Sequence, residues 1–354
     1  MRVKPRRALR PGNTGHPCAC NGWQPLCRYA TARAHFHHAA ATGPCQRARV
    51  VTPGRSHRSQ PRGSARSATP LQTMHIQRSR FLPWISAACL GAALLAGAAW
   101  AGTAEGVRAY DRGQFALAAK ELQPAAQAGD PEAQFHLGLM HDFGKGVQLD
   151  HAKAAALYRK AAEQGHADAQ YHLAVSYDDG EGVPQDFKQA VYWYTQAANQ
   201  GLAKAQYNLG VSYDKGEGVA KDHQMAAQWY RKAADQGDSD AQYNLGVAYD
   251  EGEGVPQDHQ QAVAWYRKAA AQNHVRAQFN LAVSYDDGEG VAQDKKQAVH
   301  WYTKAAEQGD ADAQQNLSVM YARGEGVARD AAKSRYWARK AREARARARA
   351  RGED

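Results

Sequence analysis

Two absences divide this chain before any motif is read. No aspartate or glutamate occurs ahead of Glu105, and no cysteine occurs after Cys89. The first absence means that the formal charge of +10 does not describe the whole chain. Residues 1–101 hold 15 of the 45 lysines and arginines and none of the 35 acids, and residues 329–354 hold 10 basic against 4 acidic residues. The stretch 102–328 is left with 20 basic and 31 acidic side chains, a net of −11. An acidic body excludes the broad attraction to phosphate backbones on which nucleic-acid binding rests. The second absence means that residues 102–354 depend on neither a disulfide nor a reactive thiol. Cys18-Ala19-Cys20, with Cys27 and Cys45, fits no common zinc spacing and lies in sequence without apolar periodicity, so these thiols are expected to be incidental.

Catalytic patterns are also scarce. Ser212-Tyr213-Asp214-Lys215 matches the Ser-x-x-Lys pattern of acyl-enzymes, but neighbouring segments in the same register read Ser-Tyr-Asp-Asp and Ala-Tyr-Asp-Glu, and no companion motif accompanies it. Nine histidines fall between residues 130 and 310, at positions expected to be mostly solvated, and none sits at the helical spacing of a zinc-enzyme pair. The acidic loop Asp178-Asp179-Gly180-Glu181-Gly182 lacks the spacing of a helix–loop–helix calcium site. No catalytic residue, cofactor or metal is therefore expected.

What the chain has, first, is an address. Met74 opens a short basic region with Arg78 and Arg80, an apolar run follows from Phe81 to Ala98, and Ala99-Trp100-Ala101 carries small residues at the positions a signal peptidase reads. Residues 74–101 are thus expected to be a signal peptide cleaved between Ala101 and Gly102, giving a periplasmic or secreted product. An uncleaved membrane anchor is the alternative, since about 20 apolar residues just span a bilayer. Residues 1–73, acid-free and rich in Arg, Pro, Gly, Ser and His, are expected to be a disordered or mis-annotated leader, with translation starting at Met74. Peptides from that segment in the natural protein would refute the reading.

Second, the chain repeats itself. Ala-Gln recurs at Ala133, Ala169, Ala205, Ala241, Ala277 and Ala313, every 36 residues without insertion, and a leucine follows four residues on in each copy, from Leu137 to Leu317. Glycine pairs such as Gly180/Gly182 and Gly216/Gly218 keep the same register. Each copy reads as two helices. Ala169, Leu173 and Tyr177 are four apart and share one face of the first. Gly180 ends that helix, where a left-handed residue is needed, and Asp186 caps the second by accepting backbone N–H bonds. Ala190, Tyr194, Ala197 and Ala198 form the second helix's stripe, which stops at Gly201. Where other copies have glycine at this stop, one has Asn273, the other residue that tolerates a left-handed cap. Residues 102–129 read as a shortened N-terminal hairpin, 130–345 as six repeats, and 346–354 as an Arg/Ala-rich tail. A single hairpin cannot bury its apolar side, so stability must come from stacking.

The unit Ala205-Gln206-Tyr207-Asn208-Leu209-Gly210-Val211-Ser212-Tyr213, followed by Gly216-Glu217-Gly218-Val219, Ala226, Trp229-Tyr230 and Ala233-Ala234, resembles the Sel-one-like repeat family, relatives of tetratricopeptide repeats. The resemblance covers about residues 130–345. It implies an all-α, right-handed α-solenoid used as an adaptor or scaffold, expected to be a monomer that binds a protein or peptide. By the same resemblance the concave groove would be lined by Tyr171 and Asp178, Tyr207 and Asp214, Tyr243 and Asp250, and Phe279 and Asp286, with a valine between each pair. Such an aromatic and acidic strip would favour a basic, extended segment. The rival explanation is that these residues recur because every copy needs them for packing and capping. A cysteine-rich branch of the family has been linked to β-lactam binding or hydrolysis, so a hydrolase of β-lactam or cell-wall-like substrates is the alternative function, although the repeats here lack those cysteines. Membrane contact is expected only through an uncleaved signal or a weak, salt-sensitive docking of the Arg-rich tail on anionic lipid.

Overall fold

A computed structural model of the chain describes residues 102–352, so the leader, the signal segment and Ala101 lie outside the described residues. The described residues form fourteen helices and no strand. Helices α1 (102–111) and α2 (Phe115–Gln127) make the short first hairpin, turning at Gly113 with φ +74°. Six hairpins follow: α3 (Pro131–Asp142) with α4 (His151–Glu163), α5 (Ala167–Asp179) with α6 (Phe187–Asn199), and α7 (Ala203–Lys215) with α8 (His223–Asp235). Then come α9 (Ser239–Glu251) with α10 (His259–Ala271), α11 (Val275–Asp287) with α12 (Lys295–Glu307), and α13 (Ala311–Arg323) with the longer α14 (Ala331–Ala350). Each helix packs on the one before it and the one after, which makes the fold an all-α solenoid of 36-residue repeats.

Local chemistry sets the helix ends. Gly180 adopts φ +74° and its N–H bonds to Ser176 O, closing α5. Asp186 then turns its side chain onto the N–H groups of Lys188 and Gln189 at 2.9 and 3.1 Å, opening α6. Asp130 caps α3 through Ala133 N at 2.9 Å, with Pro131 at the first helical position where a missing donor costs nothing. Asn273 has φ +64°, the only non-glycine among the described residues in that region, as its place in the repeat requires. Two first helices are capped in an unforeseen way: His166 and His274 each accept from the N–H three residues on, both at 3.1 Å.

Burial follows the two stripes. Ala169 and Leu173 on α5, and Ala190, Tyr194, Ala197 and Ala198 on α6, are sealed from solvent. The core is continuous from hairpin to hairpin: Ala190, Tyr194 and Ala197 of one repeat pack with Ala205, Leu209 and Trp229 of the next. Fully burying one such leucine stabilises by about 1.5–3 kcal/mol, and much of what covers it belongs to the neighbouring repeat. The stripe ends in α14, whose final turns are rich in arginine and in which only Ala341 is buried. Among the described residues no helix is long and apolar enough to cross a membrane.

Candidate functional site

The structure draws the aromatic half of the expected strip into the body of each hairpin. The ring of Tyr171 packs on Tyr194 at 6.0 Å between centroids, Tyr207 on Tyr230 at 6.0 Å, Tyr243 on Tyr266 at 6.1 Å and Phe279 on Tyr302 at 5.9 Å. Tyr243 and Phe279 are buried, at 6 and 5 % exposure, while Tyr171 and Tyr207 are half-buried. Burial pushes the phenols of Tyr171 and Tyr243 up to about 12, so both remain neutral donors.

The acidic half forms a latch between the two helices of the hairpins that carry it. Asp214 at the end of α7 lies 2.7 Å from His223 Nδ1 at the start of α8, and Asp250 lies 2.8 Å from His259 Nδ1. Asp286 receives Lys295 Nζ at 2.5 Å. Asp178 accepts from the Tyr194 hydroxyl at 3.2 Å, and Tyr266 reaches Asp250 at 3.5 Å. The earliest copy repeats the motif, with Asp142 holding His151 at 2.9 Å and accepting from Tyr158 at 3.1 Å. In the copy that offers Phe187 in place of a histidine or lysine, burial raises the Asp178 carboxyl above the usual range, helped by the charges of Asp179 and Glu217. These aspartates are half-buried structural partners as well as surface groups, so changing them to lysine alters the hairpin itself.

The expectation that the histidines are mostly solvated is corrected. His141 is buried and its Nδ1 lies 3.0 Å from Gln148 O. His166 Nε2 reaches back to Glu132 in the preceding repeat at 2.9 Å, and His274 to Asp240 at 3.1 Å. His172 is partly enclosed by the rings of Phe135 and Tyr158, at 5.6 and 5.2 Å. Sequence spacing missed these roles because the partners lie well beyond one helical turn and meet only when helices stack. Ser212, the serine of the acyl-enzyme-like pattern, is buried, and its hydroxyl donates to the carbonyl of Asn208 one turn back at 3.1 Å. Lys215 lies 3.4 Å from Glu217 instead of beside that serine. At the expected cleavage point, Ala101 is outside the described residues and Gly102 is already helical.

Comparison with known proteins agrees with this architecture. The family model for the Sel1 repeat matches six consecutive segments, 131–166, 167–202, 203–238, 239–274, 275–310 and 311–344. The chain is 41 % identical to a protective antigen of uropathogenic Escherichia coli that displays an SLR fold, with a TM-score of 0.62, covering 63 % of this chain and 48 % of that one. It thus spans about half the length of that relative. A Sel1 repeat protein from Oxalobacter formigenes is 35 % identical, with a TM-score of 0.61, covering 68 % of this chain and 96 % of that one. A search of curated proteins finds no match. Proteins built this way are generally non-catalytic scaffolds for protein interaction. With six matched repeats in one unbroken register, the chain belongs to the Sel1 repeat family.

Proposed function

We propose that this chain is an exported scaffold, periplasmic or secreted, that holds an extended protein segment along the side of the array shared by its first helices. One observation carries the reading: the same side chains return every 36 residues, without insertion, on an array with a net charge of −11 over residues 102–328. A periodic surface of one sign presents equivalent contacts to successive parts of an extended chain and attracts a basic one. Tyr171 and Tyr207, half-buried like Asp178 and Asp214, are its nearest contacts. The Arg-rich end of α14 adds a second, opposite charge and contributes weak, salt-sensitive adhesion to anionic surfaces.

The test is site-specific photocrosslinking in the native envelope. A photoreactive phenylalanine at Tyr171 or Tyr207 is expected to trap a discrete protein, and the same group at Tyr192, an exposed tyrosine on the second helix α6, is not. Equal capture from both helices, or capture from Tyr192 alone, would overturn the reading. Turnover of a β-lactam or of peptidoglycan by the purified chain, lost on Ser212→Ala, would replace it with the hydrolase alternative.

A further inference from the structure

We propose that two neighbouring latches are divalent transition-metal sites that clip one repeat to the next: Asp214, His223 and Glu253 in the first, Asp250, His259 and Glu289 in the second. In each set one carboxylate oxygen from either acid and one imidazole nitrogen lie within 4.8 Å of one another. The elements that deliver them are the same in both. An aspartate closes the first helix, a histidine opens the second, and a glutamate stands between the two turn glycines of the following repeat. The glutamate is brought there by a close backbone approach. Gly254 sits so near α8 that a Cβ on it would be 2.0 Å from the carbonyl oxygen of His223, and Gly290 stands in the same relation to His259, at 2.1 Å.

The donor chemistry fits. Zinc bonds to imidazole nitrogen and carboxylate oxygen at about 2.0–2.2 Å, and three protein ligands with an open fourth position is one of its standard arrangements. Donors in such a shell stand on the order of 3.4 Å apart, so each Asp–His contact would open by about half an ångström and the glutamate close by about an ångström as the metal replaces the shared proton. His223 Nδ1 already stands 2.7 Å from Asp214 and His259 Nδ1 2.8 Å from Asp250. Two carboxylates gathered around one imidazole form a donor set whose charge a divalent cation neutralises.

Other copies of the repeat vary this node and support the demand for a cation. Lys295 occupies the histidine's place in the repeat after His259, with its ammonium 2.5 Å from Asp286. Phe187 occupies it in the repeat before His223, and there the Asp178 carboxyl is held above its usual range. The node therefore carries a lysine in one copy, a phenylalanine beside an acid held above its usual range in another, the Asp142–His151 pair in the first, and all three donors within 4.8 Å in the two proposed here.

The deciding experiment is a calorimetric zinc titration of the full chain with its five cysteines alkylated, beside His223→Phe, His259→Phe and the double variant. Phenylalanine is the residue the protein itself accepts at position 187, so the helices are expected to survive. The parent should take up two zinc equivalents more than the double variant and one more than either single variant. Zinc should raise the melting temperature of the parent and not that of the double variant. A second double variant, Glu253→Gln with Glu289→Gln, removes the ligand contributed by the neighbouring repeat and leaves both Asp–His pairs in place. Zinc uptake by either double variant equal to that of the parent would reduce the clusters to ion-paired staples and overturn the proposal.

Discussion

The side-chain amide of Gln308, at the end of α12, donates to the side-chain carbonyl of Gln278, on α11, at 2.8 Å. Gln278 in turn donates to the backbone carbonyl of Ala270 in the previous repeat at 3.2 Å. The same kind of amide-to-amide bond joins Gln164 to Gln134, Gln200 to Gln170, Gln236 to Gln206 and Gln272 to Gln242, at 2.7–2.9 Å. Buried amides are costly unless satisfied, and here each of these first-helix glutamines is satisfied from both sides along the array.

The ladder stops at Gln314, whose side-chain oxygen is buried without a hydrogen-bond partner. The position 30 residues on is Ala344, where every earlier copy has glutamine. Ala344→Gln is expected to supply the missing donor and raise stability by about 1 kcal/mol, with slower amide exchange at the α13–α14 junction. Gln242→Ala, which removes one of the two acceptors of the Gln272 amide and the side-chain donor to the carbonyl of Ala234, is expected to cost about 1–2 kcal/mol by urea denaturation.

Two kinds of left-handed glycine should respond differently to a methyl group. Gly237 has φ +97° with open space around it, so Gly237→Ala carries only the backbone penalty, about 1–2 kcal/mol. Gly254 has φ +73° and would drive its Cβ against His223 O, so Gly254→Ala must also push neighbouring repeats away from each other. Comparable losses for the two variants in denaturant would show that the close approach at Gly254 relaxes freely.

Acid should weaken the N-terminal repeats through His172. Burial pushes its imidazole down to about 4, against a free value of 6.5, despite the attraction of Asp142 and Asp168. The unfolded chain therefore holds a proton that the folded chain refuses between those values. This contribution is fully present above about pH 6.5, declines as the pH falls toward 4, and amounts to at most about 3 kcal/mol. His172→Asn, which copies Asn208 and its successors, is expected to flatten the fall in urea midpoint between pH 7.5 and 4.5.

Charge reversal of the acidic strip should be felt in the fold. Asp250→Lys sets an ammonium beside His259 and removes the acceptor for Tyr266, at an expected cost of about 1–3 kcal/mol. An unchanged melting temperature with intact helicity would return Asp250 to a surface role. Photocrosslinking, which leaves the carboxylates in place, is for this reason the cleaner probe of partner binding.

What the sequence determined by itself is what depends on neighbours within one helix and its ends. The 36-residue period, the aspartate caps at Asp130 and Asp186, and the left-handed stops at Gly180 and Asn273 are set by backbone preferences and helical spacing, which act over a few residues. Tertiary structure decided the rest. Tyr243 and Phe279 share a helical face with positions near the surface, and only the ring opposite them, on Tyr266 and Tyr302, shows that they are enclosed. The glutamine ladder, the reach of His166 back to Glu132 and the Asp–His–Glu clusters join side chains 30 to 39 residues apart. Such pairs carry no local signature, because the distance between them is set by how closely one hairpin can lie on the next.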